Sequence, residues 1–240
     1  MSDEPQQASN RPERLTFGAV LRDFVHEFIS TDRGFLHTLL GMLREPGRTV
    51  RRWIDERDPR LTRPARFLMI VLAPVILLVS ITEWGSALYA EIERQLPPGV
   101  VTEGSILEFA LRWQLALYLV FLPLLAIGTR LAFRRSKLTL PEHFVFNTYV
   151  YAVITLGFVP FLFGTLGEPT PWTRALLWAY VVVCLVYFAQ ACRSMFGSTV
   201  GVTLLSAIVF LGSYMLYTLI SFVVIGIALA FQAAQAGAAG

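Results

Sequence analysis

Beyond residue 64 the chain is dominated by long apolar runs, whereas before it apolar residues return mainly every third or fourth position. An α-helix needs about 20 mostly apolar residues to cross a hydrocarbon core, so runs of that order with few charges mark candidate spans. Five stand out, at residues 65–82, 113–129, 144–166, 172–191 and 200–231. The last is longer than one crossing requires and must tilt, break near Gly212 or project beyond the bilayer; it is treated as one span. The predicted fold class is all-α: a polytopic helical membrane protein with about five transmembrane helices, preceded by cytoplasmic amphipathic helices.

Those preceding helices are predicted from a different periodicity. Phe17, Val20, Leu21, Phe24, Val25 and Phe28 fall on one helical face, with Arg22, Asp23, His26 and Glu27 opposite. Ser30, Thr31 and Asp32 form an N-cap cluster for a second helix carrying Phe35, Leu36, Leu39, Leu40 and Leu43, which Pro46 and Gly47 then punctuate. A third short helix carries Val50, Trp53 and Ile54 among Arg48, Arg51, Arg52 and Arg57, before Pro59 and Pro64 lead towards the first span. The chain thus divides into a disordered polar tail (1–14), an amphipathic, Arg-rich cytoplasmic region (15–64), a membrane domain (65–232) and a small-residue tail (233–240).

Composition supports the membrane class: 55% of residues are apolar and 15% charged. The last Asp is Asp58 and the sole Lys is Lys137. Twelve Arg precede or open the first span, seven of them between Arg48 and Arg66. The stretch between spans one and two carries Arg94, with Arg112 at its end, against Glu83, Glu91, Glu93, Glu103 and Glu108, and the next loop carries Arg130, Arg134, Arg135 and Lys137. Because cytoplasmic loops retain positive charge, this alternation places the amino terminus inside and the carboxyl terminus outside. Trp84, Trp113 and Trp172 then fall at outer span ends, where indole rings favour the headgroup layer. Residues 1–14 lack an apolar signal-peptide core, so the first span is expected to act as the insertion signal. The net charge of +3 reflects this topology; no basic run interleaved with stacking aromatics suggests nucleic acid as a partner.

Hydrolase, phosphate-loop and metalloprotease patterns are absent from the sequence. Cys184 and Cys192 lie in an apolar segment and cannot supply a disulfide framework or a four-ligand zinc site, and no cofactor is expected. Gly197 and Gly201 have the spacing that permits close helix approach within a span. Every Glu lies at a span end or in a loop, which argues against an ion-coupled pump. The leading polar constellation is Glu142, His143, Asn147, Thr148 and Tyr151 at the start of the third span. His143, Asn147 and Tyr151 share a face, whereas Glu142 points about 100° away from His143. It reads either as a proton-sensitive or ligand-contacting stripe, or as an interfacial helix start with Glu142 offsetting the helix dipole and His143 hydrogen-bonded locally. The Arg group likewise reads as anionic-lipid contacts through Arg48, Arg51, Arg52, Arg63 and Arg66, or as plain positive-inside anchoring. His26 and His37 read as solvated or locally bonded imidazoles.

The segments Thr31-Asp32-Arg33-Gly34-Phe35, Thr38-Leu39-Leu40, Arg44-Glu45-Pro46-Gly47 and Arg63-Pro64-Ala65-Arg66-Phe67 resemble the opening of a bacterial membrane family, domain of unknown function 3667. Pro141-Glu142-His143-Phe144-Val145-Phe146 is similar to its Glu-His motif before a span. Tyr187-Phe188 and Arg193-Ser194-Met195-Phe196-Gly197 are similar to a late span end, so the resemblance runs from about Leu15 to Leu219. Many members carry an amino-terminal zinc-ribbon-like cysteine cluster, which this chain lacks, and the family brings no activity to transfer. The resemblance implies a bacterial inner-membrane protein.

Three functional readings follow. The first is a non-enzymatic membrane component whose cytoplasmic helices contact the anionic leaflet or a protein partner. The second is a small transporter or permeation unit for a neutral or lipid-like solute, lined by the third-span stripe with Tyr214 and Tyr217. The third is a membrane enzyme using Glu142 and His143 as an acid/base pair.

Overall fold

The computed structural model describes residues 33–81, 120–164 and 171–238. The expected helix over Phe17–Phe28, the acidic stretch between the first two spans, and Trp84 and Trp113 lie outside them. The chain is an all-helical, polytopic membrane protein. Among the described residues, three helices are long and apolar enough to cross a bilayer, over Leu140–Pro160, Ala175–Phe196 and Val200–Ile227, and two shorter apolar helices cover Pro64–Leu78 and Val120–Ala132. The expected spans 65–82 and 113–129 overlap those two in part and run into residues outside the described ones.

In chain order the helices are α1 (Arg33–Arg44), α2 (Pro46–Glu56) and α3 (Pro64–Ile81); α4 (Val120–Ala132); and, after a 3-10 turn at Arg134–Ser136, α5 (Leu140–Gly164), α6 (Pro171–Phe196) and α7 (Val200–Ala238). α7 runs through Gly212 without a break. Its 39 residues extend about 58 Å at 1.5 Å per residue, against a hydrocarbon core of about 30 Å, so tilt or projection accommodates the excess. Leu204, Ile208, Leu211, Met215, Leu219 and Phe222 make an exposed stripe along it, while Ser206, Val209, Phe210 and Ser213 face inwards. That polarity of packing suits a helix with lipid on one side and protein on the other.

α3 packs mainly on α5, α6 on α7, and α2 on both α6 and α5. Phe121 of α4 ties the bundle together through ring contacts with Tyr151, Phe210 and Tyr217 at 5.5, 6.3 and 5.4 Å. Gly128 lets α4 approach α7, since a Cβ there would sit 3.0 Å from Val209 Cγ1. The Gly197–Gly201 pair does a different job from the one its spacing suggested. Gly197 lies in the turn between α6 and α7 with φ +123°, a conformation that favours glycine, and a Cβ at it would meet nothing.

α1 and α2 dock on one end of this bundle. Phe35 of α1 packs at a tilt against Phe67 at 5.2 Å, and Phe67 in turn packs on Tyr149 at 5.6 Å. Met42, Val50 and Phe67 are fully buried, each burial contributing roughly 1.5–3 kcal/mol relative to exposure to water. Pro46 and Gly47, expected as punctuation, instead open α2, because proline's fixed φ and missing N–H suit a first helical position. Glu45, at the N-cap, makes no side-chain capping bond. The cap comes from another helix: Gly47 N–H donates to Ser194 Oγ of α6 at 2.8 Å. In return Arg51 donates to the carbonyl of Met195 in the last turn of α6. Tyr187 donates to the Met42 carbonyl at the end of α1, and Tyr149 donates to the Thr62 carbonyl ahead of α3.

Glycine at 47 is required by this contact. A Cβ there would lie 2.3 Å from the Ser194 carbonyl carbon and 2.5 Å from Met195 N, both backbone atoms that cannot turn aside. Gly47→Ala should therefore destabilise the folded chain by about 1–3 kcal/mol, the usual range for overpacking. The measurement is thermal melting in detergent together with protease cleavage between α1 and α2, which should become faster. Unchanged melting and cleavage would mean that α2 does not sit on α6.

Candidate functional site

Two places in the fold concentrate polar chemistry, and both lie at the end where α1 and α2 dock. The first is the start of α5. His143 and Asn147 are fully buried and converge on Thr129 of α4, a residue that the sequence analysis did not single out. His143 Nδ1 lies 3.1 Å from Thr129 Oγ1, and Asn147 Nδ2 donates to the same oxygen at 2.9 Å and to the His143 carbonyl at 2.7 Å. The Thr129 hydroxyl proton is directed at the Leu125 and Ala126 carbonyls, at 2.9 and 3.1 Å. In the tautomer that carries its proton on Nδ1, the neutral His143 ring donates to the Thr129 oxygen and Nε2 is an acceptor. Among the described residues nothing bonds His143 Nε2 or Asn147 Oδ1. All the donors of the cluster are then used, and two acceptors remain.

The other members of the predicted stripe separate from this pair. Glu142 turns back to accept the Thr139 backbone N–H at 2.6 Å, while His143 N–H bonds to the Thr139 carbonyl. This Thr-x-x-Glu arrangement supplies one side-chain bond of a capping box, a local motif visible in the sequence as Thr139–Glu142. Tyr151 is buried against Phe121, and Thr148 bonds back to the Phe144 carbonyl within its own helix. Phe196, the last residue of α6, stacks on Phe133 at 4.3 Å and on the His143 ring at 5.4 Å. It closes the cluster from the side where α2 docks. Tyr217 packs on Phe121, whereas Tyr214 is exposed.

The second place is the Arg-rich surface of α1, α2 and the approach to α3. Arg48 forms an exposed ion pair with Glu45 at 2.7 Å, Arg51 holds the Met195 carbonyl, Arg52 pairs with Asp58, and Arg57 lies 4.4 Å over the Trp53 ring. Arg63 and Arg66 are placed differently. With Arg60, His37, Gly34 and Ala65 they line an open cavity of about 980 Å³. A smaller cavity of about 260 Å³ adjoins it, sharing His37 and Leu61, and another of about 230 Å³ lies between Arg51, Asp55, Ser136 and Phe196. Among the described residues no group of three His, Cys, Asp or Glu side chains is arranged to hold a metal.

With this geometry in place, comparison with known proteins adds one match. Residues 32–74 match a family described as protein of unknown function (DUF3667). That segment, less than a fifth of the chain, holds α1, α2 and the first half of α3, and with them Met42, Gly47, Arg51, Thr62 and Phe67 on the docking side of the interface. The bundle residues that receive it, Tyr149, Tyr187, Ser194 and Met195, lie outside the match, as do the Glu-His and Arg193–Gly197 segments. No curated protein and no solved structure matches the chain.

Two measurements probe these arrangements. Thr129→Val removes the shared acceptor and leaves buried N–H groups of His143 and Asn147 without a partner, each such loss costing about 1–3 kcal/mol; Thr129→Ser should retain most of the stability. Equal melting of the two variants would remove Thr129 from the centre of the cluster. Asp58 gives a pH dependence of definite sign. The Arg60 backbone N–H, at 2.9 Å from Oδ1, and then the Arg52 guanidinium hold its pKa below the ordinary 3.8. The stabilisation is complete above the unfolded value and is lost as pH falls through the lowered folded one. Asp58→Asn should abolish that portion of the acid-side fall in melting temperature.

Proposed function

We propose that this chain is a non-enzymatic component of a bacterial inner membrane, with its Arg-rich end in the cytoplasm, facing the anionic leaflet. The observation that carries the reading is the docking of α1 and α2: reciprocal helix-end bonds fix them on the bundle, so exposed arginines are held where apolar α3 begins. Arg60, Arg63, Arg66 and Arg48 are exposed there. A fixed guanidinium surface at that level attracts anionic headgroups by about 1 kcal/mol per charge near the membrane surface. Arg51 and Arg52, already engaged within the protein, serve to hold the surface together, and phosphate contact falls to their neighbours. The same surface is available to an acidic protein partner.

A permeation role is the second reading, and the two unpartnered acceptors at His143 and Asn147 favour it, since they suit a small hydrogen-bond donor between α4 and α5. The enzyme reading draws less support, because Glu142 is bound to the start of its own helix while His143 is turned into the cluster.

Orientation and surface attraction are tested separately. A periplasm-specific reporter fused after Gly240 should be active and a cytoplasm-specific one silent; the opposite pattern would contradict five spans with the Arg-rich end inside. Reconstituted protein should melt higher in bilayers containing phosphatidylglycerol than in phosphatidylcholine alone, and the difference should shrink as salt rises from 0.05 to about 0.5 M. Identical melting in the two lipids would sink the leaflet reading.

A further inference from the structure

We infer that the cavity beside the start of α3 is a discrete binding site for the phosphate of one glycerophospholipid headgroup. The inference rests on the reading that this end of the protein faces an anionic leaflet, and it narrows that general attraction to one place and one stoichiometry.

Among the described residues the walls carry cationic and neutral groups and no carboxylate. Arg60, Arg63 and Arg66 line the cavity with His37, Gly34 and Ala65, and among the described residues no carboxylate forms an ion pair with Arg60 or Arg63. Guanidinium groups match phosphate oxygens with two parallel N–H donors, which a diffuse surface charge does not. Arg60 is held in place by its own backbone, since its N–H donates to Asp58 Oδ1 at 2.9 Å, and Asp58 is tied in turn to Arg52 of α2. Arg63 immediately precedes α3, and its carbonyl accepts the Phe67 N–H at 2.8 Å. The first turn of α3 holds no acidic side chain, so the positive end of its dipole adds to the arginines. At about 980 Å³ the cavity stands at the upper end of the roughly 300–1,000 Å³ usual for small-molecule sites.

What makes the occupant a lipid is the surface below the cavity. Arg66, Met69, Ala73 and Leu77 follow one another along a single face of α3 at helical spacing, and all four are exposed. A phosphate held by the arginines thus has an apolar strip beneath it, running into the hydrocarbon region. A soluble phosphate compound would have no use for that strip, whereas an acyl chain covers it. Arginine at the head of such a strip also keeps its charge at headgroup level while its stem lies on apolar surface.

The test measures lipid retained by the full-length chain purified in zwitterionic detergent, by native mass spectrometry, with equal phosphatidylglycerol and phosphatidylcholine supplied. The wild type should hold one phosphatidylglycerol, preferred at least tenfold. The pair Arg60→Gln and Arg63→Gln should lower retention about tenfold. The charge-matched pair Arg134→Gln and Arg135→Gln, on the exposed turn between α4 and α5, should change it less than twofold. Ala65→Phe keeps every charge but fills the cavity, and should also release the lipid; melting temperatures identify any variant that has failed to fold, and the arginine pairs decide alone if Ala65→Phe is one of them. Equal losses from the two arginine pairs, or full retention by folded Ala65→Phe, would overturn the site while leaving leaflet attraction standing. No preference for phosphatidylglycerol in the wild type would overturn both. Displacement of the lipid by millimolar inorganic phosphate would overturn the lipid assignment in favour of a soluble phosphate compound.

Discussion

Every helix ends with backbone groups that its own hydrogen-bond ladder cannot satisfy, and at the Arg-rich end of this protein three of those groups are satisfied by other helices. α2 lacks a side-chain cap of its own and takes one from Ser194. α6 ends with a carbonyl that Arg51 fills, and α1 ends with one that Tyr187 fills. Leaving such a group buried without a partner costs about 1–3 kcal/mol, so undocking α1 and α2 would strand groups on both sides of the interface unless water reached them. The contact requires backbone to approach backbone at Gly47, which is why this position tolerates no Cβ.

The docked helices and the buried polar cluster are parts of one structure. Arg51 binds the carbonyl of Met195, and the next residue, Phe196, stacks on His143 and Phe133. Displacement of α2 would therefore free the end of α6 and uncover the side of the cluster that holds His143. On the other face, Thr38 receives the Thr62 N–H at 2.8 Å, and Tyr149 holds the Thr62 carbonyl. The linker that carries Arg60 and Arg63 is pinned at its end nearest α3. On the proposed reading, that rigidity would lower the entropy the arginines lose when they bind a headgroup.

Much of the helical architecture was legible in the chain because it depends on local periodicity. Phe35, Leu39 and Val50 face the bundle as their spacing implied, whereas Leu36, Leu40 and Leu43 of the same expected stripe are exposed; the apolar runs at α5, α6 and α7 became long helices, the last two extending beyond their expected ends. What was not legible depends on residues far apart in sequence. Nothing near Gly47 announces Ser194, 147 positions later, and Thr129 looks like any small polar residue near a span end until α5 brings His143 and Asn147 against it. The stripe of His143, Asn147 and Tyr151 was expected as one unit, and its members divide between a hydrogen-bonded pair and an aromatic contact. Glu142 was read through the helix dipole, although the Thr139–Glu142 spacing also carried its hydrogen bond. The Arg group was read as one set; partners within the fold divide it into arginines that hold the protein together and arginines that face the cavity.

The central claim is that α2 is an integral part of the bundle, capped by it and capping it. Amide hydrogen exchange of the full chain in lipid nanodiscs tests this directly, by comparing α2 between Val50 and Ile54 with the end of α6 between Ala191 and Met195. The account predicts slow exchange in both segments, and loss of protection in both together when Gly47 is replaced by Leu. Fast, peptide-like exchange in α2 of the wild type, with the end of α6 remaining slow, would contradict it.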